Sequence, residues 1–340
     1  MPFLNTDIPE LSGFDTGLCL SNLDVLGLRQ NRINESVLAI LAELADALIR
    51  DAGEDPETVD SILLSLQSTP DIDTDEDAVA ERILSAVAPV NRDAIRRMTG
   101  RSGLYARLLL YRMIEERMPT LRPIEELSHQ SPLPPSARDR VAYMPASFAD
   151  KAYLRLTAPL HTPRADSTAS FVDACEEVHS GLAEYCILPL EDAHNGRLTA
   201  FTRLMLRYRL QIVAVCDLEN GAAEGQTTRF ALLREGDEGR FPTPLAGTEP
   251  PSPLLLELIH LTDSPSLTEL LLAAEFCGLT LSRVDTIPPF DELEIFSEEA
   301  PSATAFACVL NAEGGDLTTF RRFLALEAPE DILTGLYGQI

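Results

Sequence analysis

Apolar and polar positions follow three different patterns along this chain of 340 residues. In the first part the apolar residues recur at helical spacing, beginning after Asn34 and forming one stripe: Val37, Leu38, Ile40, Leu41, Leu44, Leu48 and Ile49. Similar patterns follow the acidic stretch Asp71–Asp77 and run again from about Leu104 to Met118. No strand-like alternation interrupts them, so the pattern predicts a helical module over residues 1–118.

A polar stretch rich in proline follows this module. It lacks apolar periodicity and contains Pro119, Pro123, Pro132, Pro134 and Pro135. Proline cannot continue a helix because it lacks the backbone N–H and its ring clashes with the preceding turn. We therefore predict a linker over residues 119–139.

Short apolar runs alternate with helical patterns over residues 140–236. The predicted strands are Val141–Met144, Tyr185–Leu190, Leu210–Cys216 and Arg229–Leu233. The predicted helices between them are Phe171–His179 and Leu198–Tyr208. Strands separated by helices indicate a parallel or mixed α/β sheet.

The pattern changes again over residues 253–340, after a second joint rich in proline and glycine. The predicted elements are, in order, the strand Leu254–Leu261, the helix Ser266–Phe276, the strands Leu279–Val284 and Ala303–Leu310, the helix Leu317–Leu326 and the strand Ile332–Tyr337. The order βαββαβ is that of the ferredoxin-like unit. The fold class predicted is thus multi-domain, α then α/β then α+β.

Composition and charge narrow the possible functions. The chain has 54 acidic residues against 27 Lys and Arg, a formal net charge of −27, and 45% apolar residues. So acidic a protein repels a phosphate backbone, which argues against a nucleic-acid or anionic-membrane role. Six cysteines without a CxxC pair and five histidines without ligand spacing predict no metal site and no cofactor. With neither a targeting segment nor a membrane span evident, we expect a cytoplasmic protein.

Three motifs carry a resemblance to a known family. The run from Glu177 to Asp192 (EVHSGLAEYCILPLED), followed by Gly196, is similar to the central segment of prephenate dehydratases. Thr228-Arg229-Phe230 matches the Thr-Arg-Phe motif of that family, and Leu281–Pro288 with Leu333–Tyr337 resembles the ACT regulatory domain that follows it. In this order the motifs resemble a prephenate dehydratase with a C-terminal ACT domain.

The resemblance implies a fold for each part of the chain. Residues 140–236 would form a single α/β lobe like those of periplasmic binding proteins, and residues 253–340 an ACT domain. The segment Ile33–Glu43 is similar to the first helix of chorismate mutase, the domain at this place in the bifunctional chorismate mutase–prephenate dehydratase. That similarity consists mostly of leucines, so an unrelated helical domain remains the alternative.

The resemblance also implies site residues. Thr228 would donate a proton to the leaving hydroxyl, Arg229 and Phe230 would shape and charge the pocket, and Glu191 would lie at its mouth. The other expected substrate-binding positions are Ser147, Asp192, Asn195 and Gly196. The expected effector-binding positions are Ser266, Leu267, Asp285 and Thr286.

Several departures from the family pattern predict lost activity. Only Asp217–Thr227 stand where the family has a whole second lobe, and the loop Met144–Ala149 has none of the glycines of the family's anion-binding turn. Asp192 adds a carboxylate that would repel a dianionic substrate, and Leu44 replaces the arginine of a mutase helix. We expect an impaired enzyme without mutase activity. The alternative is an active dehydratase whose cleft is completed by the N-terminal helices or a second subunit.

The expected partners follow from the same resemblance. It implies prephenate or an aromatic amino acid as ligand, a homodimer formed through the ACT domain, and a partner enzyme of the same pathway. In the effector loop Pro265 removes a backbone N–H that a ligand carboxylate could use. A dimerisation module with vestigial pockets therefore stays open beside an effector sensor.

Overall fold

The structure is a computed structural model that describes residues 35–53, 55–67, 100–118, 137–219, 227–236, 253–261, 265–287 and 305–340. Among these residues, no helix is both long and apolar enough to cross a membrane. The helix expected after Asp71–Asp77 and residues 119–136 of the proline-rich linker lie outside them.

The strands of both halves form one continuous mixed sheet. Its strands are β1 (Arg140–Tyr143), β2 (Arg164–Ser167), β3 (Tyr185–Asp192), β4 (Gly196–Arg197), β5 (Leu210–Glu219), β6 (Thr227–Glu235), β7 (Leu255–His260), β8 (Thr280–Ile287), β9 (Ala305–Asn311) and β10 (Ile332–Gln339). Their order across the sheet is β2-β1-β3-β6-β5-β10-β7-β9-β8, with β4 paired to β3.

Eight helices accompany the sheet within the described residues. They are α1 (35–51), α2 (Pro56–Gln67), α3 (Gly100–Arg117), α4 (Ser147–Leu156), α5 (Phe171–His179), α6 (Thr199–Arg207), α7 (Leu267–Phe276) and α8 (Leu317–Glu327). The sequence did not predict α2, although Asp55 accepts a hydrogen bond from the Thr58 backbone N–H as an N-cap and Pro56 follows it.

Strand β10 joins the two halves of the sheet. It pairs parallel with β5 and antiparallel with β7. The backbones come close at Gly335, where an added Cβ would lie 2.7 Å from the carbonyl oxygen of Ile212. A glycine is needed here because any side chain would overlap the neighbouring strand.

The C-terminal elements follow one another as β7-α7-β8-β9-α8-β10, with the strand order β10-β7-β9-β8. This is the βαββαβ order that the sequence predicted. In the preceding lobe, β1 is parallel to β2 and β3 whereas β3 is antiparallel to β6, so the sheet is mixed, as expected.

The described N-terminal helices pack on the helices of the C-terminal part. Residues of α1, α2 and α3 share one buried cluster with α7 and α8: Leu48, Ile62, Leu108, Leu270, Phe320 and Phe323 are members. Polar contacts reinforce this packing, since Arg107 donates two 2.7 Å hydrogen bonds to Glu327. These helices therefore share a core with the C-terminal module. The module boundaries at 118, 139, 236 and 253 remain predictions.

The two faces of the sheet are covered by different helices. In the lobe, α4 covers one face, and α5 and α6 cover the other. Leu206 of α6 also packs against Ile259, Ile287 and Ala305 of the C-terminal strands. Helix α6 thus reaches the sheet face that α7 and α8 leave open, and the sheet curls around it.

Candidate functional site

A group of charged side chains lies where the β3–β4 corner of the lobe meets the C-terminal strands. We call it the charged junction, and it consists of Arg197, Arg229, Arg283, Glu191, Asp217, Glu257 and Asp285. Strands β3, β4, β5, β6, β7 and β8 each contribute at least one member.

The guanidinium of Arg229 is held by two carboxylates. Its Nε and Nη2 donate to the two oxygens of Asp217 at 2.8 and 3.0 Å, and its Nη1 lies 3.4 Å from Glu191 Oε2. The hydrogen bonds to Asp217 and the charge of Glu191 raise the pKa of Arg229 against the opposing effect of burial. The cation that the family resemblance assigns to substrate is thus neutralised within the chain.

Glu191 connects β3 to β8. It lies opposite Arg229 in the β3–β6 register, so both side chains are on the same face of the sheet. Its Oε2 accepts a 2.7 Å hydrogen bond from Arg283 Nη1, and its Oε1 accepts a second from Nη2. The Nε of Arg283 lies 2.7 Å from Asp285 Oδ2 as an ion pair, without the alignment of a hydrogen bond. These contacts raise the pKa of Arg283, the hydrogen bond to Glu191 most strongly.

The innermost pair of the junction is Arg197 with Glu257. Their side chains are 4% and 1% exposed. Glu257 also accepts a 2.7 Å hydrogen bond from the Tyr337 hydroxyl and a 3.2 Å bond from Thr334, while Arg197 Nε donates to Thr202. Burial alone would raise the pKa of Glu257, but Arg197 and these hydrogen bonds outweigh it and lower that pKa.

The Thr-Arg-Phe residues point to both faces of β6. Phe230 is 5% exposed and packs in the cluster beneath α4. Because side chains alternate along a strand, Thr228 shares that face with Phe230, and Arg229 points to the opposite one. The structure therefore brings Glu191 and Arg229 together, whereas the strand directs Thr228 away from them.

Three of the expected substrate-binding residues form the turn between β3 and β4. Asp192 Oδ1 accepts hydrogen bonds from the backbone N–H groups of His194 and Asn195 at 2.9 and 3.3 Å, and another from the Asn195 side chain. Gly196 has φ of 65°, the left-handed region that favours glycine. Ser147 is the first residue of α4, so a helix stands where the sequence indicated only a shortened loop.

The expected effector-binding residues lie on α7 and β8. Ser266 is the N-cap of α7, and its side chain accepts from the Glu269 backbone N–H while Glu269 accepts from the Ser266 backbone N–H at 2.9 Å. Leu267 is the first residue of the helix. On β8, Asp285 belongs to the charged junction and Thr286 is exposed.

Five participants were missed at the sequence level: Arg197, Asp217, Glu257, Arg283 and Tyr337. A signal existed for Glu257, which is a single acid in the apolar run Leu254–Ile259. An acid in such a run must find a partner when the strand is buried. Within the described ranges, no group of three or more His, Cys, Asp or Glu side chains could hold a metal ion.

No protein-family model and no curated protein matches the chain. Several solved structures are similar to it. A prephenate dehydratase from Streptococcus mutans has a TM-score of 0.45 at 15% identity, over 59% of this chain and 98% of that one. The prephenate dehydratase from Arthrobacter aurescens in complex with L-Phe has a TM-score of 0.42 at 14% identity. This similarity covers 58% of this chain and 90% of that one.

A third similar structure, GqqA, is described as a novel type of quorum quenching acylase. Its TM-score is 0.42 at 18% identity, over 59% of this chain and 95% of that one. Likenesses this low do not assign a function to the chain.

Proposed function

We propose that this chain is a prephenate-dehydratase-family protein of phenylalanine and aromatic amino-acid biosynthesis that has lost most of its catalytic power and acts as a regulatory or partner subunit. The family assignment is supported by motifs in the family order: the β3 segment, Thr228-Arg229-Phe230 and the C-terminal βαββαβ unit. The loss of activity is supported by how those same residues are engaged.

The observation that supports this proposal most directly is that two carboxylates of the chain already bind the Arg229 guanidinium. Prephenate has two carboxylates, and its dehydration needs fixed cations for them and a proton donor for the leaving hydroxyl. Arg229 is occupied by Asp217 and Glu191, and Thr228 lies on the other face of β6. A substrate that contacts the Thr228 hydroxyl therefore does not meet the Arg229 guanidinium.

The connection between β5 and β6 supports the same conclusion. The two strands are antiparallel neighbours along nearly their whole length, and only residues 220–226 join them. So short a connection has no room for a second lobe, so substrate would have to be enclosed by another part of the chain or by another subunit. The described N-terminal helices pack on α7 and α8.

The C-terminal unit supports the role as a partner subunit. We propose that it is an ACT-like module through which two copies associate, in a cytoplasmic homodimer. Helices α7 and α8 cover one face of its strands and α6 packs on the other, whereas β8 is the edge strand. An edge strand presents unpaired backbone groups to a partner.

The test of catalysis is incubation of the purified protein with prephenate and detection of phenylpyruvate. We expect no conversion above the uncatalysed rate, with an active prephenate dehydratase as the positive control. Turnover that Thr228→Ala abolishes would overturn the proposal and favour an active dehydratase completed by a second subunit.

The test of the regulatory role is calorimetry with phenylalanine, tyrosine and prephenate. Heat of binding with any of the three is expected for a sensor subunit. No heat with all of them would favour an assembly module whose ligand pockets are vestigial.

A further inference from the structure

Glu191 is shared by two arginines from strands that are far apart in the sheet. Arg229 belongs to the strand next to β3, whereas Arg283 belongs to β8, which five strands separate from β3 in the hydrogen-bonded order. The curl of the sheet brings β8 near β3, and the Glu191 carboxylate lies between the two guanidinium groups.

The contact has the geometry with which arginine binds a free carboxylate. Both terminal nitrogens of Arg283 donate to the two oxygens of Glu191. This bidentate pair of parallel hydrogen bonds is typical of arginines that bind carboxylate ligands. The side chains of Arg283 and Arg229 are 35% and 24% exposed, so small solutes in the solvent can reach both arginines.

The charges of the junction define how many carboxylates it can accept. Three arginines face four acids, and apart from Glu191 each arginine keeps one acid of its own: Asp217 for Arg229, Asp285 for Arg283 and Glu257 for Arg197. Without Glu191 the junction would have three charges of each sign, and one added carboxylate would restore the present excess of one negative charge. A dicarboxylate bound through both of its carboxylates would add a second excess negative charge.

We propose that Arg229 and Arg283 form a carboxylate-binding site that Glu191 closes from within the chain as a built-in ligand. An external carboxylate binds here only when Glu191 has left the two arginines, because it takes the same position. The proposal rests on the proposed function, in which Arg229 is already bound by carboxylates of the chain. It goes further by naming carboxylates as the ligand class and Glu191 as the residue that controls access.

The test is chemical rescue of Glu191→Ala. This variant removes the carboxylate and leaves space for acetate between the two arginines. Its melting temperature is measured against acetate concentration, at constant ionic strength with chloride as the balancing anion and acetamide as the neutral analogue. We expect a saturable, acetate-specific rise of about 2 °C or more, because a ligand that binds only the folded state stabilises it.

Three controls define the outcome. Wild type and Glu43→Ala, which removes an exposed glutamate of α1, should show no saturable rise with acetate, and Glu191→Ala/Arg283→Met should lose it. An equal response to acetamide, an equal response in the Arg283→Met double variant, or no response in Glu191→Ala would each overturn the proposal.

If Glu191→Ala is too unstable to give a melting transition, its refolding yield is measured instead. The yield of folded Glu191→Ala on dilution from urea should be higher in acetate than in chloride at equal ionic strength, and equal yields would count against the site. The readout is independent of prephenate turnover by wild type. The carboxylate site and the loss of catalysis can therefore fail separately.

Discussion

Arg197 of the lobe and Glu257 of the C-terminal module form an ion pair that is almost completely removed from solvent. Arg197 lies in the two-residue strand β4, and Glu257 lies in the middle of β7, among leucines and an isoleucine. Because the Tyr337 hydroxyl and Thr334 also donate to Glu257, its carboxylate is hydrogen-bonded on both oxygens. The pair connects two halves of the chain that are distant in sequence.

Glu257→Gln should therefore be strongly destabilising. Glutamine keeps the shape of the side chain but leaves the charge of Arg197 buried without a counter-ion, which costs about 3–5 kcal/mol when one partner of a buried pair is removed. Urea unfolding followed by circular dichroism measures the free energy of unfolding. The exposed Glu43→Gln is the matched control and should change it by no more than about 0.5 kcal/mol. A cost for Glu257→Gln as small as that of the control would contradict this account.

The same pair should make stability depend on pH in the acidic range. The folded-state pKa of Glu257 is lower than the ordinary value of 4.5, so the unfolded chain takes up the proton first as pH falls. The stabilisation is thus complete above pH 4.5 and is lost as pH falls through the folded-state pKa. The difference in unfolding free energy between wild type and Glu257→Gln should be constant from pH 7 to 5 and shrink below pH 4.5. A difference that does not change with pH would exclude this cause.

Arg322→Met tests how the N-terminal helices are held. Arg322 has a 2% exposed side chain on α8 and lies between Glu115 of α3 and Asp60 of α2. Methionine would remove the cation that Arg322 supplies to two carboxylates, one of them buried, at a cost of about 3–5 kcal/mol. Limited proteolysis should then cleave helices α1, α2 and α3 sooner than in wild type. Arg164→Met, on the exposed edge strand β2, is the control and should leave the cleavage pattern unchanged.

Gly335→Ala tests the joint between β5 and β10. The added methyl would lie 2.7 Å from the Ile212 carbonyl oxygen and 2.8 Å from its Cβ, so the strands would have to separate. Overlap of this kind typically costs about 1–3 kcal/mol, and thermal unfolding measures it. An unchanged or raised melting temperature would show that the two halves tolerate a wider spacing than the structure has.

Leu281→Lys tests association through the edge strand β8. The Leu281 side chain is 48% exposed on this strand, and a lysine there would place like charges near one another in a two-fold edge-to-edge dimer. Light scattering should find wild type as a dimer and Leu281→Lys shifted towards monomer. Leu154→Lys, at a 71% exposed leucine of α4, should remain dimeric. A monomeric wild type, or a dimer that Leu281→Lys does not weaken, would contradict association through β8.

Apolar periodicity predicted much of the fold because most elements bury one face. The βαββαβ order of the C-terminal part follows from runs such as that of β7. Strand β2 was missed for the opposite reason. It reads Arg-Ala-Asp-Ser, is largely exposed and has no apolar side to detect. Helix α4 was missed because the family resemblance suggested a loop at Met144–Ala149.

The sequence predicted individual residues of the candidate site but not the contacts between them. Glu191 and Arg229 were selected from motifs, but the contact of Glu191 with Arg283 depends on the curl of the sheet, which brings β8 near β3. Local pattern contains no information on such long-range contacts. Arg283 therefore read as one more polar residue in a strand, although it completes the ionic contact of Glu191.

The position of β10 has a consequence for folding during synthesis. The ribosome makes β10 after both of its neighbours, β5 and β7, yet it lies between them in the sheet. Until β10 emerges from the exit tunnel, each neighbour has an unpaired edge along a hydrophobic strand, and such edges are prone to aggregate. The growing chain should therefore depend on chaperone protection until β10 is released, and the lobe and the C-terminal module should acquire their final stability together rather than in turn.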